Sequence, residues 1–239
     1  MKNAAGKEGD FLKAGIACLK PGSLRATLVS NRGSHCEVWR TSMRHPSKKK
    51  SSPYLEFVIK YPRGSHSRAE ISMLSRHYTL LRNDLEDIIP QALFFVTEIG
   101  GKPNVAVIAE AVDIWFNIAN PHNREEAVTL LSAHPKALNQ LGRFIEAAKQ
   151  WRTSADPRII DLFGVDNLVM NTNREIRYLD SFFVFFFEDM LDMFDERDDV
   201  LENCVKISLE RLAYLDAIFG EATRRSATTG GKAVRVEWR

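Results

Sequence analysis

Apolar and polar positions divide the chain into a strand-rich first half and a helix-rich second half. Three β-leaning runs come first: Arg25–Val29, Cys36–Trp39 and Leu55–Lys60. Ser30–Ser34 and a basic Ser/Pro stretch separate them. The period then changes. From Ser65 or Ser67, either of which can cap a helix, Ile71, Leu74, Tyr78, Leu81, Leu85 and Ile88 recur at steps of three and four, and Pro90 ends the run. Ala92–Thr97 and Val105–Ala109 return to the strand pattern, with Gly100–Pro103 as the turn between them. The first half therefore reads β-β-β-α-β-β.

Beyond residue 113 the spacing is helical over Arg124–Ser132 and Pro135–Arg152, with Leu138, Leu141, Ile145 and Ala148 on one side of the second. Residues 158–180 interrupt it with a short hairpin that passes from Asp161 through a Gly-containing loop to Asn167–Met170. A polar turn at Asn171–Asn173 then leads to Ile176–Asp180. Phe182–Asp195 and Val200–Phe219 read as two more helices, the first with its phenylalanines in the core, and residues 223–239 as a flexible tail. The expectation is an α+β protein of 1–239 with two lobes. Residues 22–112 form an antiparallel sheet with one helix, and 113–222 form a mainly helical lobe holding the 158–180 hairpin.

Composition narrows the class. At 239 residues and 44% apolar, the chain can bury a core without staples, and 14 Phe exclude disorder as a whole-chain description. Cys18, Cys36 and Cys204 lie far apart with no C-x-x-C pair, which excludes a disulfide framework and a Cys-rich zinc site and suits a reducing compartment. The six His show no metal-ligand spacing. The longest apolar run, Phe182–Phe187, is far short of the roughly 20 residues of a spanning helix. Residues 1–15 lack the apolar core of a signal peptide, so a cytoplasmic protein is expected.

The net charge of +2 hides a split. Residues 1–68 carry 14 Lys+Arg against 4 Asp+Glu (+10), and residues 69–239 carry 19 against 27 (−8). A basic first third attracts polyanions such as nucleotide phosphate. Its densest part, residues 44–50, reads as a solvated loop, with nucleic acid left open as a partner.

Chemistry concentrates in the hairpin. Asp161, Asp166, Asn167 and Asp180 bring carboxylate and amide oxygens to one short element. Such donors suit Mg²⁺, which typically takes one or two carboxylates plus substrate phosphates. Lys60, preceded by Phe57-Val-Ile, places a positive charge on a strand centre. Glu70, one turn from Leu74 and three from Leu81, falls by spacing on the apolar, sheet-facing side of the next helix, where Lys60 is its natural partner.

These residues resemble the motifs of the protein-kinase-like superfamily over about residues 25–185. Asp161-Leu-Phe-Gly-Val-Asp-Asn167 is similar to the catalytic loop, and Ile176-Arg-Tyr-Leu-Asp180-Ser-Phe to the strand and Asp of D-F-G. Phe57-Val-Ile-Lys60 resembles V-A-I-K, and Gly33-Ser-His-Cys-Glu-Val38 the later part of the Gly-rich loop. The chain departs from the pattern at Cys36, at Ser181-Phe182 after Asp180, and in having no A-P-E. The resemblance implies a minimal, bacterial-type kinase-like fold that uses ATP and Mg²⁺ to move the γ-phosphate to a hydroxyl acceptor, a protein Ser/Thr slightly ahead of a small molecule. It implies that Gly33, Ser34, Val38 and Lys60 bind the nucleotide, with Glu70 orienting Lys60 and the Glu110–Val112 backbone beside adenine. It further implies Asn167 and Asp180 as metal ligands and Asp161 as the residue orienting the acceptor hydroxyl, with Asp166 its competitor. Two other readings remain: a pseudokinase acting as a regulatory binding module, and a non-kinase α+β protein whose basic third binds a polyanion.

Overall fold

The structure is a computed structural model that describes residues 26–30, 36–44, 54–99, 101–187 and 198–230. The chain divides into two compact units, and each is built differently.

The first unit is a five-stranded antiparallel sheet of β1 (Ala26–Ser30), β2 (Cys36–Arg44), β3 (Tyr54–Pro62), β4 (Ala92–Ile99) and β5 (Lys102–Glu110), in the order β1-β2-β3-β5-β4. β3 occupies the centre, with both of its edges paired. It runs against β2 from Cys36↔Pro62 to Arg44↔Tyr54, and against β5 from Phe57↔Glu110 to Lys60↔Val107. The β4–β5 turn is tighter than the glycines and proline imply. Gly101 takes φ +76°, a left-handed value that favours glycine, and Lys102 and Pro103 already belong to β5. Buried Asn104 donates from Nδ2 to the Gly64 carbonyl at 3.2 Å, fixing the chain as it leaves β3.

The second unit takes the helix α1 (Arg68–Leu85) from Ala69 onward, together with everything after Val112. The sequence reading groups this helix with the sheet in 22–112. Its Leu81 and Leu85, with Ile88 and Ile89 beyond, instead pack into the second unit's core. Polar anchors reinforce that docking. Trp151 Nε1 donates to Asp84 Oδ2 at 2.8 Å, and buried Gln140 donates to Asp87 Oδ2 at 2.8 Å while accepting from the Ile176 amide at 2.9 Å. A buried amide with both ends satisfied stabilises where a half-satisfied one would cost.

The rest of the unit comprises β6 (Ile114–Phe116), α2 (Arg124–Ala133), α3 (Pro135–Arg152), β7 (Arg158–Ile160), β8 (Leu168–Asn171), β9 (Ile176–Tyr178), β10 (Phe185–Phe187) and α4 (Asp199–Gly230). The core is shared among α2, α3, α4 and the short strands, with Leu131, Leu141, Phe144, Leu168, Tyr178, Leu215 and Ile218 fully enclosed. α3 and α4 approach closely at Gly142, where a Cβ would stand 2.9 Å from the Phe219 ring.

Two expectations are corrected here. The helix predicted over Phe182–Asp195 is absent from its described part: residues 182–184 are irregular and 185–187 form β10, paired with β7 from Phe185↔Ile160 to Phe187↔Arg158. Aromatic side chains fit a pleated strand well, and pairing with β7 outweighs helical spacing. Phe182 and Phe185 are buried, as the core assignment of the phenylalanines requires. The last helix does not end at Phe219 but continues to Gly230, through the first part of the predicted tail. Residues 188–195, the loop at 45–50 and positions Gly33 and Ser34 lie outside the described residues. No helix of the described residues is long and apolar enough to cross a membrane.

Candidate active site

Two nested antiparallel pairs build the site within the second unit. β8 and β9 form the inner hairpin, from Leu168↔Tyr178 to Met170↔Ile176, with β6 on its outer edge. β7, which precedes the inner hairpin, pairs with β10, which follows it. The loop 161–167 and the segment 179–184 must therefore leave and re-enter the same ends of these pairs. Two backbone bonds extend the ladders into the loops. The Asp161 amide donates to the Val184 carbonyl at 2.8 Å, and the Leu179 amide to the Asn167 carbonyl at 2.8 Å. This topology brings Asp161, Asn167 and Asp180 together.

Each side chain is fixed locally. Asp161, 6% exposed, accepts the Phe163 amide on Oδ1 at 2.7 Å, an Asx turn that bends the loop away from β7. Asn167 donates from Nδ2 to the Asp161 carbonyl at 3.2 Å, so its amide oxygen takes the opposite direction. Asp180 accepts the Ser181 and Phe182 amides on Oδ1 at 2.7 and 3.3 Å. Phe183, at φ +51°, then turns the chain into β10. That value is rare for an aromatic residue, and such strain gathers where a loop is held for a purpose.

The remaining oxygens define what the site can hold. Among the described residues, Asn167 Oδ1 and Asp180 Oδ2 accept no hydrogen bond. One carboxylate and one amide oxygen form a hard donor pair of the kind Mg²⁺ accepts when substrate phosphates complete its shell. No cluster of three His, Cys, Asp or Glu among the described residues forms a self-sufficient metal cage. Gly164 guards this geometry, because a Cβ there would stand 2.5 Å from Asn167 Oδ1.

Electrostatics and burial distinguish Asp161 from Asp166. Burial pushes the Asp161 carboxyl up to about 7, the Asp180 charge adds to the rise, and the Phe163 amide and Arg211 oppose it. Asp166 is exposed. Of the two, Asp161 is the buried carboxyl, and Asp180 is its neighbouring charge.

Several contributors escaped the sequence reading. Tyr178, fully buried, donates its hydroxyl to the Asp161 carbonyl at 2.9 Å. Ser208 of α4 accepts the Leu162 amide at 3.0 Å, and Arg211 donates to the Leu162 and Phe163 carbonyls. The loop 161–163 is thus clamped from α4. A signal existed in the sequence: Val205, Ser208, Leu212, Leu215 and Ala222 form the buried stripe of α4, and Ser208 is its polar member. A hydroxyl on an apolar stripe demands a partner.

The other predicted residues lie on or beside the sheet of the first unit. Lys60 is 7% exposed in central β3. Its cross-strand partners are Val38 on β2 and Val107 on β5, so Val38 and Lys60 share one face. Glu110 ends β5, half-buried, with Oε2 accepting the Gln91 amide at 3.5 Å. Val112 opens the second unit, half-buried in an irregular segment. Glu70 is exposed in the first turn of α1, not on its buried side as the spacing argument placed it; the buried stripe runs through Ile71 and Leu74. Neither protein-family models nor curated proteins give any match to this chain.

Proposed function

We propose that the protein is an ATP- and Mg²⁺-dependent phosphotransferase of kinase-like, two-lobed architecture, moving a γ-phosphate to a hydroxyl acceptor, with protein Ser/Thr ahead of small molecules. The observation that carries this reading is the closed double hairpin, which gathers buried Asp161, the amide oxygen of Asn167 and the carboxylate of Asp180 and leaves two hard oxygens open.

In this reading Asn167 and Asp180 hold the metal, which when bound neutralises charge on the phosphates. Asp161 accepts the hydrogen bond of the acceptor hydroxyl and takes its proton as the oxygen–phosphorus bond forms and the bond from the γ-phosphorus to the leaving diphosphate oxygen breaks. A general base must lie within hydrogen-bond reach of the proton it takes, and the Asx turn at Phe163 fixes the Asp161 carboxyl for that task. Tyr178, Ser208 and Arg211 hold the Asp161 loop still, and positioning supplies most of the catalysis in phosphoryl transfer. Lys60 serves the phosphates from β3, with Val38 beside it against the nucleotide. The Glu110–Val112 backbone lies beside adenine.

Incubation with γ-labelled ATP and Mg²⁺, alone and with a cell lysate, tests the reading. Label transferred by the wild type and lost in Asp180→Asn supports it. Retained ATP binding with no transfer by any preparation favours a regulatory pseudokinase instead.

A further inference from the structure

Away from the Asp161 site, the second unit has a cavity of about 320 Å³ lined by Arg76, His77, Leu80 and Arg158. Three of its four lining residues carry nitrogen donors, and two of those are guanidinium groups. Arg76 and His77 come from α1 and Arg158 from β7, so the cluster is assembled by tertiary packing. The His77 ring is fixed by two aromatic neighbours on β10: edge-to-face with Phe185 at 5.6 Å and tilted on Phe187 at 5.6 Å. The Arg158 guanidinium lies 5.8 Å from the centre of the same Phe185 ring.

The donors are poorly matched by acceptors. Asp156 Oδ2 takes Nε and Nη2 of Arg158 at 3.0 and 2.6 Å, which leaves Nη1 without a hydrogen bond among the described residues. Arg76 makes no ion pair and His77 no hydrogen bond among those residues. Two guanidinium groups and an imidazole thus meet one carboxylate, which is largely exposed. The two arginines also hold the His77 imidazole below its ordinary range, with burial the larger cause, so positive charge in the cavity is felt by its own lining. Arginine forks match the oxygens of a tetrahedral phosphate, and a cavity at the low end of the roughly 300–1,000 Å³ of ligand pockets suits a small one.

We propose that this cavity is a binding site for a phosphate monoester, with Arg76 and Arg158 grasping its oxygens, His77 donating a further hydrogen bond and Leu80 packing against the carbon that bears it. The site is independent of the phosphotransfer reading, since it shares no residue with Lys60, Asp161, Asn167 or Asp180.

The test is a titration of the full chain with inorganic phosphate, followed through the His77 ring signals by NMR, with sodium chloride at matched ionic strength as control. Saturable movement with phosphate and none with chloride is expected. Arg76→Ala and Arg158→Ala should each weaken binding by at least about tenfold, as loss of a charge-assisted bond implies. Lys60→Ala should leave the His77 titration unchanged. O-phosphoserine binding more tightly than inorganic phosphate supports the monoester site; inorganic phosphate binding as tightly or more tightly shows that Leu80 meets no ester carbon and overturns it. Arg76 is exposed on α1, so Arg76→Ala remains readable if Arg158→Ala perturbs folding. Absence of saturation with either probe, or unchanged affinity in Arg76→Ala, overturns the proposal.

Discussion

Tyr178 donates its buried hydroxyl to the backbone carbonyl of Asp161 at 2.9 Å, and this single bond couples the end of the inner hairpin to the first residue of the candidate catalytic loop. The same carbonyl receives Asn167 Nδ2. One oxygen therefore registers the β9 strand, the Asn167 amide and the loop against each other.

Tyr178→Phe removes the hydroxyl and keeps the ring that packs on Phe144. Because Asn167 still satisfies the carbonyl, the expected cost is about 1 kcal/mol in urea denaturation. Transfer activity should fall more than that stability loss alone explains, through a lower kcat. An unchanged kcat would show that the bond does not position the loop.

Gly164→Ala separates geometry from stability. Its Cβ would press on Asn167 Oδ1 at 2.5 Å, so the amide must turn or the loop must shift. Misplacement of about 1 Å in such a site costs up to roughly a hundredfold in rate. Nucleotide affinity in Mg²⁺ should fall, while the thermal midpoint changes little because the loop is half-exposed there.

Asp161 predicts a pH dependence of the metal-free protein. Its folded carboxyl titrates near 7, above the ordinary carboxylate value that the unfolded chain adopts. The folded state therefore holds a proton the unfolded state releases. The stabilisation this gives is complete below about pH 4 and lost as pH rises through 7. Asp161→Asn should remove that slope and exceed the wild type at pH 8, by on the order of 4 kcal/mol at most. Identical slopes from pH 4 to 7 in both proteins would refute the assignment. Asp180→Asn should lower the Asp161 midpoint in a carboxyl NMR titration, since Asp180 is the neighbouring charge that raises it.

Arg211→Ala should act in the opposite direction on the same group. Arg211 donates to the Leu162 and Phe163 carbonyls and opposes the rise at Asp161. Its removal should move the Asp161 midpoint further up and cost about 1–3 kcal/mol, the penalty for carbonyls left unsatisfied. Circular dichroism melts and the carboxyl titration check the two halves of this prediction.

The sheet was highly legible in the sequence. β3 carries Phe57-Val-Ile-Lys60 between Ser/Pro and Pro/Gly punctuation, and α1 follows with an unbroken three-and-four spacing, so local pattern and tertiary structure agree. The hairpin was legible because polar residues close both of its ends. Phe182–Phe187 was misread because consecutive aromatics carry no period, and their strand state depends on β7, more than 20 residues earlier. Glu70 was misplaced by one position of helical phase relative to Ile71. The clamp from α4 was invisible to motif reasoning, since Ser208 and Arg211 act over more than 40 residues of separation. Long-range hydrogen bonds leave only the faint trace of a polar residue on an apolar stripe.

The most direct measurement is a thermal-shift titration of the wild type, Lys60→Ala and Asp180→Asn with ATP, with and without Mg²⁺. Ligand that binds only the folded state at about 100 times Kd stabilises it by about 2.7 kcal/mol. A Mg²⁺-dependent rise in the wild type, strongly reduced in both variants, is the predicted result. A melting temperature that ATP and Mg²⁺ leave unmoved in the wild type would contradict the nucleotide-binding account.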